Sequence, residues 1–375
     1  MDLEGHIAHV WPQLHAMAEP AFKEVRTASF LAGFLRKLGY KVEEGVGGTT
    51  AVVATLDSGV PGPVVALRTD MDCLLFKQDD GTEKPIHACG HDGHMTIALG
   101  VAQLLAEQGL KQGKVKILCQ PAEEIGRGAL ELLKAGALQD VDYALGYHLM
   151  PKDMARSGQI IAQINWTACT LMEGEIRGLA AHGSQPHLGV NAIDVGAAIV
   201  GAVNALPTNP LLGGSVKTTR FLGGAGSLNA ICDKVNIGFD LRSTSNSEML
   251  ALRQRVSEIV INTAKVYGAE AQCHIVGTCP AAEADPSLQA VTCEAIVEEL
   301  GPEGLIPAAS ITVGEDFNFF KEQLPQLKTA SLGIGCDLVP RLHDPDMHFD
   351  HAALAPAIKV LARLTHKLLQ NQPSR

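Results

Sequence analysis

Three imidazoles, a thiol and a carboxylate crowd into eight consecutive residues, His87-Ala88-Cys89-Gly90-His91-Asp92-Gly93-His94. Imidazole and thiolate together suit a transition metal, zinc above all, whereas carboxylates alone would suit magnesium or calcium. Gly90 and Gly93 let the backbone turn tightly, so that neighbouring side chains can converge on one point. Ile97, Val101, Leu104 and Leu105 follow at helical spacing, which puts the motif where a loop enters a helix. Two further groups carry paired carboxylates after short apolar runs: Arg68-Thr69-Asp70-Met71-Asp72 after Val64 to Leu67, and Gln120-Pro121-Ala122-Glu123-Glu124 after Val115 to Leu118. His148 stands just past the apolar run Tyr143 to Leu145, and His343 lies in the turn Leu342-His343-Asp344-Pro345.

Such groups need a frame to hold them. Short apolar runs bounded by turn residues read as buried strands, and they alternate here with helical patterns at 25–38, 95–105 and 129–135. This predicts an α/β fold, in which ligands gather outside the carboxyl ends of the strands. Asp70, Asp72, Glu123, Glu124 and His148 all occupy that position. From about residue 165 the order changes to strand, helix, two strands, helix, strand, with Val235, Ile237, Phe239 and Leu241 alternating at a period of two. That βαββαβ order is the split arrangement of ferredoxin-like domains. We therefore expect residues 165–275 to form a smaller domain inserted into a discontinuous one of residues 1–164 and 276–375.

Composition narrows the setting. Hydrophobic residues make up 46% and charged residues 19% of 375, which excludes a disordered chain. The formal charge of −11 argues against nucleic acid and against anionic membrane surfaces. The nine cysteines are scattered and odd in number, which suits a reducing compartment better than a disulfide framework. Met1-Asp2-Leu3-Glu4 begins no signal-peptide pattern, and the apolar run from Val195 to Val203 is too short to span a bilayer. The expected setting is cytoplasmic, without a membrane or nucleic-acid partner.

A dimetal hydrolase needs two cations about 3.5 to 4 Å apart, a bridging ligand, terminal ligands and a base for the attacking water. Cys89 can supply the bridge as thiolate, with His91, Glu124, His148 and His343 as terminal ligands. Glu123 is then left to act as the base. Asp70 and Asp72 would orient ligand imidazoles and fix their tautomer. Taken singly, each group has a plainer reading: a solvated carboxylate pair, a hydrogen-bonded histidine near a strand end, or a turn cap.

Together, His87 to His94, Gln120 to Glu124 and Leu342 to Pro345 resemble the aminoacylase and carboxypeptidase family of dinuclear metallopeptidases. The resemblance is to its amidohydrolase branch of N-acyl amino acid, hippurate and auxin-conjugate hydrolases. Arg68 to Asp72 looks like that family's Arg-Ala-Asp-Met-Asp, and Gly314 to Phe317 like its Gly-x-Glu-Asp-Phe. The resemblance covers nearly the whole chain. It implies a catalytic domain with a central mixed sheet of the zinc-exopeptidase type, a lid that also dimerises, and two divalent ions per subunit, zinc or manganese, with cobalt or nickel open. It makes Cys89, His91, Glu124, His148 and His343 the ligands and Glu123 the general base. Ala181 to His187 looks like the family's Gly-His-x-x-x-Pro-His, so His182 would reach a partner protomer's site and stabilise the oxyanion. Asn229 and Arg242 fall where the family holds its substrate, and a guanidinium fork suits an α-carboxylate. Without the resemblance, His182 reads as a turn residue and Arg242 as a surface cation.

The expected reaction is cleavage of an N-acyl amino acid to an acid and a free amino acid. Its nearest rival is a dipeptidase or carboxypeptidase of the same architecture. A binding protein that keeps the metal site without turnover is a rival from another class, opposed by the intact Glu123 and His182. A zinc nucleobase deaminase would need His-x-Glu and Pro-Cys-x-x-Cys, which the chain lacks. Three departures from the family pattern stand out: only fourteen residues separate Asp72 from His87, Met95 replaces the usual threonine, and His348 and His351 crowd the terminal stretch.

Overall fold

Every residue of the strand Val64–Asp70 is buried, as a near-continuous apolar run in a sheet covered on both faces requires. In the computed structural model, which describes residues 1–209 and 212–371, this strand lies inside an eight-stranded sheet. The sheet order is Lys41–Val46, Ala51–Asp57, Lys114–Gln120, Val64–Asp70, Tyr143–Pro151, Lys328–Leu338, Ile160–Ile161, Leu305–Ile306. The four strands from Lys114–Gln120 to Lys328–Leu338 run parallel, and antiparallel pairings on either side make the sheet mixed. Their carboxyl ends therefore face one way, carrying Gln120, Asp70 and the end of Tyr143–Pro151.

One boundary differs from the expectation. His148 lies within its strand, because parallel pairing with Lys328–Leu338 carries the ladder past Gly333↔His148 to Pro151. The residues Gly146 to Met150 are all buried, so the apolar run is longer than Tyr143 to Leu145 suggested.

The helix His91–Gln108 starts directly on the metal-type motif. Gly90 precedes it at φ 84°, a left-handed conformation that an L side chain resists. Residues His91 to Ala102 are buried throughout, so this is a core helix and not a half-exposed one. It packs against the helices Leu3–His15 and Leu354–Gln370. A Cβ at Gly100 would stand 2.5 Å from Ile358 Cδ1, so a side chain there would force Ile358 to shift.

The chain divides into two compact units, one of Met1–Asn165, Glu283–Ser310 and the segment from Asp316 onward, the other of Trp166–Ala282 and Ile311–Glu315. The smaller unit holds a four-stranded antiparallel sheet in the order Ser215–Gly223, Lys234–Ser243, Ala168–Arg177, Glu270–Cys279. The helices Ala192–Asn204 and Asn246–Val266 cover one face of it. Val235, Ile237, Phe239 and Leu241 point into that core, the other face of the strand being more exposed. Among the described residues, no helix is long and apolar enough to cross a membrane.

Candidate active site

The larger unit draws the motif, the carboxylate pair and two distant histidines onto the same end of the sheet. Potential donor atoms of Cys89, His91 and His148 lie within 4.8 Å of one another, and so do those of Cys89, Glu124 and His343. Cys89 belongs to both triads. Glu123 joins His91 and Glu124 in a third cluster of the same reach. The separations are 3.4 Å from Cys89 Sγ to His148 Nε2, 3.7 Å from His91 Nε2 to Glu124 Oε1, and 3.5 Å from His343 Nε2 to Glu124 Oε2. The backbone N–H of His343 donates to Ala88 O at 2.8 Å, which ties the C-terminal turn to the motif.

Ring tautomers follow from what each imidazole touches. His91 Nδ1 donates to the Asp72 carbonyl at 2.9 Å, and His148 Nδ1 donates to the Leu149 carbonyl at 2.7 Å. Both therefore turn Nε2 and its lone pair toward the cluster, the orientation a metal ligand needs. His91 Nε2 and Glu124 Oε1 are buried and have no hydrogen-bond partner among the described residues. Buried polar atoms left so are costly, and bound divalent cations would satisfy them. The donor set thus fits the pair of cations that the motif suggested.

His94 is excluded from that set. Its Nδ1 donates to Asp70 Oδ1 at 2.7 Å, and its Nε2 accepts the Leu149 N–H at 2.9 Å, so both nitrogens are in use. Asp70 consequently orients His94 instead of a ligand imidazole. Its other oxygen accepts from Arg68 Nη1 at 2.7 Å. Buried Arg68 also reaches Gln120 and Asp316, at 2.9 and 2.7 Å, which locks two strand ends and the Asp316 turn together.

Asp72 does two jobs. Its carbonyl holds His91, and its carboxylate accepts the N–H groups of Glu123 and Glu124, each at 3.1 Å. Sequence reasoning missed the third support, Glu24. That fully buried carboxylate accepts from Ala122 N at 3.0 Å, Phe22 N at 2.9 Å and Thr50 Oγ1 at 2.5 Å. Ala122 needs such help, since its φ of 54° is unfavourable for any residue with a Cβ. Three consecutive N–H groups, of Ala122, Glu123 and Glu124, are thus pinned by two buried carboxylates, and the two glutamates inherit a fixed backbone.

The electrostatics describe a buried excess of negative charge. Burial opposes charge on His91, but Asp70, the bond to Asp72 and Glu124 overcome it and raise its pKa to about 10. Burial pushes Glu124 up to about 7 against the pull of His91, with Asp72 and Asp70 adding to the rise. Burial and the neighbouring His94 hold His148 well below the usual imidazole range, so it stays neutral. Burial likewise lowers His343. A site with this many carboxylates around one imidazole is suited to a cation.

His182, Asn229 and Arg242 lie in the smaller unit. His182 is exposed, and its Nδ1 accepts from Ser184 N at 3.2 Å and bonds Ser184 Oγ at 2.7 Å. That leaves the proton on Nε2, free of the loop, as an outward donor. Gly183 N donates to Asn229 O at 2.6 Å, so the loops bearing His182 and Asn229 are joined. Arg242 is less available than expected. Its Nε and Nη2 grip Asp240 at 2.7 and 3.0 Å, and its Nη1 meets Thr312 O at 3.3 Å.

The sequence pattern of peptidase family M20/M25/M40 matches residues 66–367. The chain belongs to this family. A probable hydrolase of Synechocystis is 31% identical, the alignment covering 96% of this chain and 94% of that one. Indole-3-acetyl-aspartic acid hydrolase of Enterobacter agglomerans is 28% identical, covering 93% and 92%. Among solved structures, the Bacillus subtilis YXEP protein, a dinuclear metal-binding peptidase of the M20 family, superposes with a TM-score of 0.83 at 25% identity, covering 98% of this chain and 99% of that one. Like these M20 relatives, the chain is a metal-dependent hydrolase of amide bonds.

Proposed function

We propose that the protein cleaves N-acyl amino acids to a carboxylic acid and a free amino acid, using two divalent cations held by Cys89, His91, Glu124, His148 and His343. The observation that carries this reading is the sharing of Cys89 between two donor triads, one with His91 and His148, the other with Glu124 and His343. Cys89 would thus be available to hold either ion. The likeness to an indole-3-acetyl-aspartic acid hydrolase supports an amino acid conjugate as substrate. Thiolate and imidazole ligands favour zinc, and the carboxylate leaves manganese, cobalt and nickel as alternatives.

The cations, when bound, polarise the amide carbonyl and make water acidic enough to be deprotonated near neutral pH. Glu123 accepts the proton of the attacking water and passes it to the departing amine nitrogen. Asp72 and Glu24 fix the backbone from which Glu123 projects. His182, with its proton on Nε2, donates to the developing oxyanion, and Asn229 and Arg242 hold the amino acid portion. Arg242 does so by exchanging Asp240 for the substrate's α-carboxylate. The smaller unit serves as lid and as dimer interface, the second copy supplying His182. Support for the dimer comes from the edge strand Ser215–Gly223, whose outer side is unpaired and whose Phe221 and Leu222 are exposed.

The test is release of amino acid from N-acetyl, N-benzoyl and N-indoleacetyl amino acids and from dipeptides, on metal-stripped protein reconstituted separately with zinc and manganese. Metal-dependent release from the acyl amino acids is the expected result. Release from dipeptides alone would replace the acyl substrate by a peptide, and release unaffected by metal would refute the mechanism.

A further inference from the structure

Of the nine cysteines, Cys89 belongs to the site, Cys232 is buried with its thiol donating to Lys234 O, and five others have raised pKa values. Burial pushes Cys73, Cys119 and Cys336 up to about 12 and Cys273 up to about 11, and it raises Cys293 as well. Thiols so placed react slowly, because the thiolate is the nucleophile.

Cys169 and Cys279 differ. They stand directly opposite each other on the antiparallel strands Ala168–Arg177 and Glu270–Cys279. Cα atoms of such opposed residues lie about 4.5 to 5.5 Å apart, within the roughly 4.4 to 6.8 Å that a disulfide spans. The Cys279 thiol hydrogen-bonds the Cys169 sulfur. On the other flank of Cys169, in the same register row, is Arg242. The hydrogen bond from Cys279 outweighs burial and, with the charge of Arg242, brings Cys169 down to about 6. Both residues are partly exposed, and the backbone at Gly314 lies over them; a Cβ there would sit 2.7 Å from Cys169 Sγ.

We propose that Cys169 and Cys279 form a peroxide-oxidisable dithiol, with Cys169 as the attacking and Cys279 as the resolving cysteine. The Cys169 thiolate attacks one oxygen of hydrogen peroxide, the O–O bond breaks, and hydroxide leaves to be protonated to water. The Cys169 sulfenic acid so formed is attacked by the Cys279 sulfur, whose proton departs with the hydroxyl group as a second water. Two thiols lose two electrons, and one peroxide is reduced to two waters. The bridge would tie the first strand of the smaller unit to its last, close to Trp166 and Ala282 where the chain passes between units. It would also remove a thiolate from beside Arg242. None of this depends on the hydrolytic reading.

The experiment is peroxide titration of the reduced, metal-loaded protein, followed by alkylation, non-reducing tryptic digestion and mass spectrometry. Cys273, Cys279 and Cys293 share one tryptic peptide, so fragmentation must assign the linked sulfur. The expected product joins Cys169 to Cys279 with loss of two hydrogens, appears before any other cysteine is modified, and reverts with dithiothreitol. In Cys279→Ser the Cys169 sulfenic acid should persist and be trapped by dimedone, while Cys169→Ser should leave Cys279 reduced. Oxidation of other cysteines first, or no Cys169–Cys279 peptide, would overturn the proposal.

Discussion

The donor cluster of the larger unit and the groups around Arg242 in the smaller one are built on opposite plans. Around Glu124 and His91 the supporting groups Asp72 and Glu24 are buried and engaged, and the unpartnered His91 Nε2 and Glu124 Oε1 are atoms that would meet a cation. Around Arg242 the guanidinium is only partly covered and its fork is closed on Asp240. The first site is organised before anything binds, whereas in the proposed function the second would exchange one carboxylate for another. On that proposal, chemistry falls to the rigid part and recognition to the part that re-pairs.

The largest effect is expected at the rigid end. Glu123→Gln should lower kcat by about 10² to 10⁴, the range for loss of a general base, while metal content measured by elemental analysis stays at the wild-type level. Activity retained in that variant would remove Glu123 from the mechanism. Metal binding should depend on pH in the same region. His91, raised to about 10, is protonated at neutral pH in the metal-free protein and must lose that proton to bind. Affinity should therefore rise at least tenfold per pH unit between about pH 7 and 9, more steeply where the Cys89 thiol must also lose its proton, with proton release visible in calorimetry across buffers of different ionisation enthalpy. A flat profile would mean that His91 is no ligand.

Smaller changes separate positioning from chemistry. Glu24→Gln keeps the size of the buried side chain but removes one acceptor from the three N–H and O–H groups that converge on it. We expect kcat to fall by roughly tenfold with KM and metal content unchanged, a split that general destabilisation would not produce. The smallest effect belongs to the recognition side. Asp240→Asn should loosen the grip on Arg242 and lower KM a few-fold for substrates bearing an α-carboxylate, leaving kcat in place. An increase in KM would show that Asp240 orients Arg242 for binding and does not compete with substrate.

What the sequence discloses follows its local density. Cys89 and His91 are legible because they are packed into one motif, and Glu123 and Glu124 because they follow a buried strand. Glu24 is silent, since its bond to Ala122 spans 98 positions and no spacing rule links them. Asp316 is read only as part of a family-like motif, although its bond to Arg68 spans 248 positions and helps to hold the sheet end. The sequence puts His148 just beyond its strand because Gly146 interrupts an apolar run that resumes at once; the partner strand, not the composition, extends it to Pro151. The pairing of Arg242 with Asp240 was available in principle, because residues two apart on a strand share a face. Sequence alone could not say that the pair would close.

The most direct test of the account is anomalous diffraction from crystals of the protein reconstituted with zinc or manganese. Two anomalous peaks are predicted, flanking Cys89 Sγ, one adjoined by His91 and His148 and the other by Glu124 and His343. A single peak, or peaks away from Cys89, would contradict the shared-thiolate site on which the proposed function rests.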